Sequence, residues 1–200
     1  MAEQPRARLL ARVVLAQLVR TLAAPLTVSA SALLWVTCVT LNNDLFFEWT
    51  AVTEFRHLIF VPAGAKLVLV MALGARGAFG IALGTMTFLH SDLPTLSTVQ
   101  AVACSLAYAG VPLVVLSAFS RVTGLARPWF GLGTRHLALI TVAVAVASSI
   151  AFNGLLAAWG MLSGVEVLPA AVAMAGGDVT GTGILLAAAL GGRALMRRLR

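Results

Sequence analysis

Long apolar runs, each bounded by arginines or acidic residues, constrain this chain more than any other feature. A helix crossing a bilayer needs about 20 mostly apolar residues, with a range of about 17–25. Thr21–Leu41, Leu58–Gly74, Leu96–Ser120, Leu137–Leu162 and Leu168–Ala194 each meet that requirement. The piece at 77–90, GAFGIALGTMTFLH, is shorter, about 21 Å at the helical rise of about 1.5 Å per residue. It reads as a short crossing helix or as a re-entrant segment. Charged residues make up only 10% of the chain and hydrophobic ones 60%. Such a chain could not coat itself with polar groups in water, which excludes a soluble enzyme, a disordered tail and a coiled coil. The expected class is an all-α integral membrane protein embedded in a lipid bilayer.

The basic residues fix the expected topology. The net charge of +7 could suggest nucleic acid in a soluble protein, but here the arginines stand at the edges of apolar runs, so no nucleic-acid partner is implied. With six crossings and both termini in the cytoplasm, the inner side collects Arg6, Arg8, Arg12, Arg20, Arg76, Arg121, Arg127, Arg135, Arg193, Arg197, Arg198 and Arg200. The outer side collects Asp44, Glu48, Glu54, Asp92 and Glu166. Were 77–90 not to cross, the basic loop 121–136 would face outward, against the positive-inside rule. The expectation is therefore six transmembrane helices, the third short, in a bacterial cytoplasmic membrane. Residues 1–20 form a basic amphipathic segment at the inner interface, 21–194 the membrane domain and 195–200 a basic tail. The first span, longer than a signal peptide and without an A-x-A site before its end, reads as a retained anchor. Residues 42–57 form a polar, aromatic-rich outer connection.

Two ionisable residues remain inside the spans. Lys66 and Asp178 each cost about 2.5–3.5 kcal/mol at a helix centre on insertion scales. Counted from the outer ends of their helices, both reach roughly mid-depth, so they are expected to face each other or share a polar cavity. Such a pair either binds a small ligand or ion or fixes helix packing. Glycines and hydroxyls gather around both. Pro62 and Gly64 interrupt the helix of Lys66. Gly177, Thr180, Gly181 and Thr182 surround Asp178 and suggest a locally unwound helix lining a cavity. Gly80-x-x-x-Gly84 and Gly177-x-x-x-Gly181 also allow close helix packing. Asn153 lies mid-span below Ser148 and Ser149, either as a further ligand-binding group or as a helix-to-helix hydrogen-bonding one. Cys38 and Cys104 read as small apolar-site residues, and His57 and His90 as polar residues of the outer interface. No nucleophile, paired-carboxylate, phosphate-loop or metal-ligand motif appears, so neither catalysis nor a cofactor is implied.

Two stretches resemble a known family. FVPAGAKLVLVMALGARGAFGIALGTM (Phe60 to Met86) and GGDVTGTGILLAAAL (Gly176 to Leu190) are similar to membrane-associated sensor domains of the MASE type. The matching positions are Pro62, Gly64, Gly74, Gly84, Gly177, Asp178 and Gly181. The resemblance implies a helical sensory module that reports to a membrane or cytoplasmic protein partner. The chain is shorter than the usual eight-helix domain, and Lys66 stands where an apolar residue is expected. A second resemblance, in length, helix number and topology, is to the substrate-binding S components of energy-coupling-factor vitamin transporters. A structural subunit of a membrane complex is a third reading.

Overall fold

The computed structural model describes residues 3–53, 56–124 and 132–198, with side chains for 22–51, 57–91, 93–124, 132–190 and 196. Among the described residues the fold is helical apart from one small hairpin. The helices are α1 (Glu3–Thr40), α2 (Pro62–Leu73), α3 (Ala75–Asp92), α4 (Thr98–Thr123), α5 (Thr134–Ala158) and α6 (Gly164–Arg198). Four stretches, Leu22–Phe46, Thr98–Thr123, Thr134–Ala158 and Gly164–Leu190, are long and apolar enough to cross a membrane. Large apolar side chains such as Leu33, Val114, Val142, Ile150 and Val172 point away from the bundle. This inside-out surface suits hydrocarbon as the solvent, and the chain is a multi-pass membrane protein in contact with lipid.

Several boundaries differ from the sequence expectation. α1 runs without a break through position 20, so the basic segment continues the first span rather than forming a separate helix. The side chains of its arginines, of Asp92 and of Arg193, Arg197 and Arg198 lie outside the described part of the structure, as do Glu54, Arg127 and Arg200 altogether. The connection 42–57 is structured: a π-helical turn (Leu41–Phe46), a 3-10 turn (Glu48–Thr50) and strands β1 (Ala51–Thr53) and β2 (Arg56–His57). The short helix is the second and not the third. α3 spans 18 residues, about 27 Å, whereas α2 has 12, about 18 Å. Pro62 explains this: it stands at the first turn of α2, where its missing N–H costs nothing, and the chain before it is not helical. His57 is buried within the bundle, its ring stacked on Phe60. Cys38 and Cys104 are free thiols.

The turn between α2 and α3 is a single residue. Gly74 adopts φ 60°, ψ −132°, a conformation open to glycine and not to side chains. α3 folds straight back on α2, so closely that a Cβ on Gly77 would strike the carbonyl of Leu69. α4 begins with a capping box between Ser97 and Gln100 and ends at Gly124 in the left-handed region.

Glycine contacts give the relative directions. Gly80 lies on Val28, Ser31 and Ala32 of α1, and Gly84 on Ala32, Trp35 and Val36, so α1 and α3 run parallel. Gly177, Gly181 and Thr182 of α6 meet His57, Phe60 and Gly64 in the same ascending order, so α2 and α6 are parallel as well. α2 sits at the centre, packed against α1, α3, α4, α5 and α6. That position buries Ala63, Gly64, Lys66, Leu67, Leu69 and Val70.

Candidate functional site

The irregular segment 58–61 that leads into α2 determines where Lys66 lies. Non-helical backbone within a bundle must find hydrogen-bond partners in protein, because lipid offers none. Leu58 N–H donates to the carbonyl of Thr50 (2.9 Å) and Phe60 N–H to that of Gly177 (3.0 Å). The Thr180 hydroxyl donates to the carbonyl of Leu58 (2.7 Å). Asn42 serves from the other side: its Oδ1 accepts from Val61 N–H (3.0 Å), and its Nδ2 donates to the carbonyl of Ile59 (3.4 Å). The first turn of α2 accounts for the carbonyls of Phe60 and Val61.

This arrangement reassigns the glycines. A Cβ on Gly177 or Gly181 would overlap the backbone of His57 or of Phe60. Both glycines are there so that α6 can seat this irregular chain, and Thr180 fastens it. The local unwinding expected around Asp178 does not occur, since α6 is continuous from Gly164 to Arg198. Gly64 plays a similar packing role on Thr182 and Leu185.

With the segment anchored, Lys66 falls one turn into α2. A helical side chain leans toward the N-terminus of its helix, and Lys66 Nζ reaches Asp178 Oδ2 at 3.4 Å. The two expected partners do meet, and both are buried, at 0% and 2% exposure. The third member is Tyr108 of α4, which the sequence reading passed over. Lys66 Nζ sits 3.6 Å from the centroid of its ring, well inside the cation–π range of about 6 Å. Trp35 and Phe152 brace that ring at centroid distances of 5.9 and 6.0 Å. The Lys66–Asp178 separation exceeds the usual range of about 2.7–2.9 Å for a charge-assisted hydrogen bond, so the pair is not tightly closed.

A cavity of about 10 Å³ lies beside the pair, lined by Ala63, Lys66, Leu67, Thr141, Val144, Ala145, Asp178 and Thr182. That is the room one water molecule requires. Thr141 is 7% exposed, and its hydroxyl has no hydrogen-bond partner. Nearby, Asn153 Nδ2 lies 3.5 Å from Met174 Sδ, which sets the antiparallel register of α5 on α6. In that register Ser149 is level with Asp178, and the buried hydroxyls of Ser148 and Ser149 also have no partner. Asn153 itself is not part of the cavity lining. It lies eight residues beyond Ala145, about 12 Å along α5, and donates to the carbonyl of Ser149.

Neither a family model, a curated protein nor a solved structure matches this chain. The chemistry of the site therefore rests on its own geometry. Among the described residues no group of three His, Cys, Asp or Glu side chains could hold a metal ion. The site instead combines one cation, one anion, one aromatic face and unpaired hydroxyls, drawn from α2, α4, α5 and α6. Of the residues expected from sequence, Lys66, Asp178 and Thr182 line the cavity. Pro62, Gly64, Gly177, Thr180 and Gly181 position its walls.

Proposed function

We propose that this chain is a non-enzymatic sensor of the bacterial cytoplasmic membrane, similar in kind to the MASE-type domains. It crosses six times with both termini in the cytoplasm. Its Lys66–Asp178 site takes up a small ligand or ion and passes the resulting state to a partner protein. The observation that carries the reading is the loosely closed, fully buried pair beside a cavity with an unpaired hydroxyl. An ion pair that served packing alone would gain from close contact and satisfied neighbours, because each buried charge carries a desolvation penalty of several kcal/mol. The pair is in contact at 3.4 Å without being tightly closed, and the Thr141 hydroxyl beside it is unpaired, as suits a partner exchange.

Six crossings are supported by the parallel pairs α1 with α3 and α2 with α6, which a chain alternating in direction would have. Segment 58–61 and α2 together bridge the depth that α2 alone cannot. The size of the cavity favours a small occupant. Pockets for drug-sized ligands measure about 300–1,000 Å³, against about 10 Å³ here. A vitamin-binding transporter component would have to open this bundle widely.

The segment that the pair holds should be the part that moves. Hydrogen exchange of 57–66 and 176–182 should quicken in Asp178→Asn, while α3–α4 amides keep their protection. Exchange that rises evenly over all helices, or nowhere, would leave the pair a packing device and end this proposal.

A further inference from the structure

We infer that the connection between α1 and α2 is a lipid-contact surface, bedded in the headgroup layer of the adjacent leaflet, and that it couples this layer to segment 58–61. Such a surface goes beyond the site proposed above, and only its output rests on that reading. The connection is inside out. Asn42, Thr50 and His57 are buried, whereas Leu45, Phe46, Trp49 and Leu58 are exposed, Trp49 to 79%. A loop in water would show the reverse, with amide, hydroxyl and imidazole outward and the large apolar groups covered. Leu58 belongs to this patch because its N–H donates to the carbonyl of Thr50, next to Trp49.

Continuity with the lipid-facing side of α1 names the occupant. Along α1 the row Ser31, Trp35 and Val39 is buried, and Asn42 continues it. Leu26, Leu33, Leu34 and Leu41 form the exposed row, and Leu45 continues that one. The π-helical turn thus carries both faces of α1 beyond Thr40. Charge sets the depth. Asp44 and Glu48 are exposed among these apolar groups, and carboxylates are costly inside hydrocarbon. Aromatic side chains interleaved with carboxylates fit the headgroup–acyl boundary, where indole is enriched. Over 42–57 three acids, Asp44, Glu48 and Glu54, stand against one arginine, Arg56. The fitting partner is a zwitterionic phospholipid, whose cationic headgroup meets the carboxylates; an anionic lipid would repel them.

The buried half of the connection holds the chain that positions Lys66. Asn42 accepts from Val61 N–H at 3.0 Å and donates to the carbonyl of Ile59 at 3.4 Å. His57 Nδ1 lies 3.3 Å from the Phe47 carbonyl, and its ring stacks on Phe60. With the bond from Leu58 to Thr50, each of Leu58, Ile59, Phe60 and Val61 is tied to the connection or to His57. Lipid-facing and chain-holding residues share the same short turns, so a displacement of the connection in the leaflet moves 58–61 with it.

The test uses the full chain in phosphatidylcholine vesicles. Trp49 emission is isolated as the difference between wild type and Trp49→Phe, a change at an exposed position that spares the core. Lipid brominated near the headgroup end of its acyl chains should quench that emission at least twofold more than lipid brominated near the methyl end. Aqueous iodide should quench it at least threefold less than it quenches free tryptophan. Leu45→Ser with Trp49→Ser removes apolar contact without altering Asn42, Thr50 or His57. In this variant the amides of Leu58, Phe60 and Val61 should exchange at least threefold faster, with α3–α4 amides unchanged. Emission that iodide quenches freely, or that neither agent quenches, would overturn the inference, because the surface would then face water or another protein chain. Exchange at 58–61 that is unchanged, or that rises evenly over every helix, would overturn it as well. None of these variants alters Lys66 or Asp178. Failure here beside quickened exchange in Asp178→Asn leaves the buried site standing, and the opposite pair of results leaves the lipid surface standing.

Discussion

Removing one partner of the buried pair should cost far more than removing both. Lys66→Met preserves an unbranched chain of similar length but strands the Asp178 carboxylate, and Asp178→Asn preserves shape but strands the ammonium. Breaking a buried pair in this way costs about 3–5 kcal/mol. Both groups are at or below 2% exposure, so water offers little screening. The cation–π contact with Tyr108, about 0.5–2 kcal/mol, is lost wherever Lys66 is replaced. The double variant therefore loses that contact but no longer buries an unpaired charge, and it should lie within about 2 kcal/mol of wild type. Equilibrium unfolding in mixed micelles, read for the four proteins, gives the coupling energy directly. A coupling of about 3 kcal/mol or more is expected. A double variant as unstable as the sum of the singles would show that the two residues do not stabilise each other, and the reasoning would fail.

Other outcomes follow from the same geometry. Gly181→Ala should destabilise by about 1–3 kcal/mol, because its Cβ meets the Phe60 backbone. Gly183→Ala, with open space around it, should be neutral or gain up to about 1 kcal/mol in helix propensity; thermal melts of the two variants compare them. Asn42→Ala, which leaves the Val61 N–H without an acceptor, should cost about 1–3 kcal/mol by the same assay. Tyr108→Phe should retain most of the contact with Lys66, and Tyr108→Leu should lose about 0.5–2 kcal/mol of it, beyond its loss of packing area, in a cycle with Lys66→Met. Alkaline phosphatase fused near positions 50, 92 and 166 should be active, and fusions near 125 and 200 inactive. Activity at 125 would mean that α3 does not cross.

The sequence exposed the charges more readily than the backbone that arranges them. Lys66 and Asp178 stand out because ionisable groups inside apolar runs are costly, and that cost is visible without coordinates. Their partners are ordinary residue types. Tyr108 could have been noticed as the chain's one tyrosine, set inside an apolar span. Thr141 carries no such mark, because an isolated threonine in a β-branched run is equally at home packing a helix. The glycines near Asp178 were legible as a close approach, but the identity of the approaching element was not. Helix-to-helix contact, unwinding and the seating of a non-helical chain all ask for the same missing Cβ. Only the Pro62 start of α2 separates them, and it does so by leaving residues 58–61 in need of backbone partners on α6 and Asn42.

Distance measurement between the α2–α3 turn and the C-terminal end of α6 tests the central claim most directly. Spin labels at Arg76→Cys and Met196→Cys, both exposed positions, would report on the α2–α3 hairpin against α6 in a protein with Cys38 and Cys104 replaced. If the Lys66–Asp178 site is a switch read at the inner face, pulsed electron paramagnetic resonance should give a distance distribution in Asp178→Asn with a population that wild type lacks. The Lys66→Met, Asp178→Asn double variant should show that population too, because neither charge then holds α2 to α6. Identical distributions in all three proteins would contradict the account and leave the buried pair as packing alone.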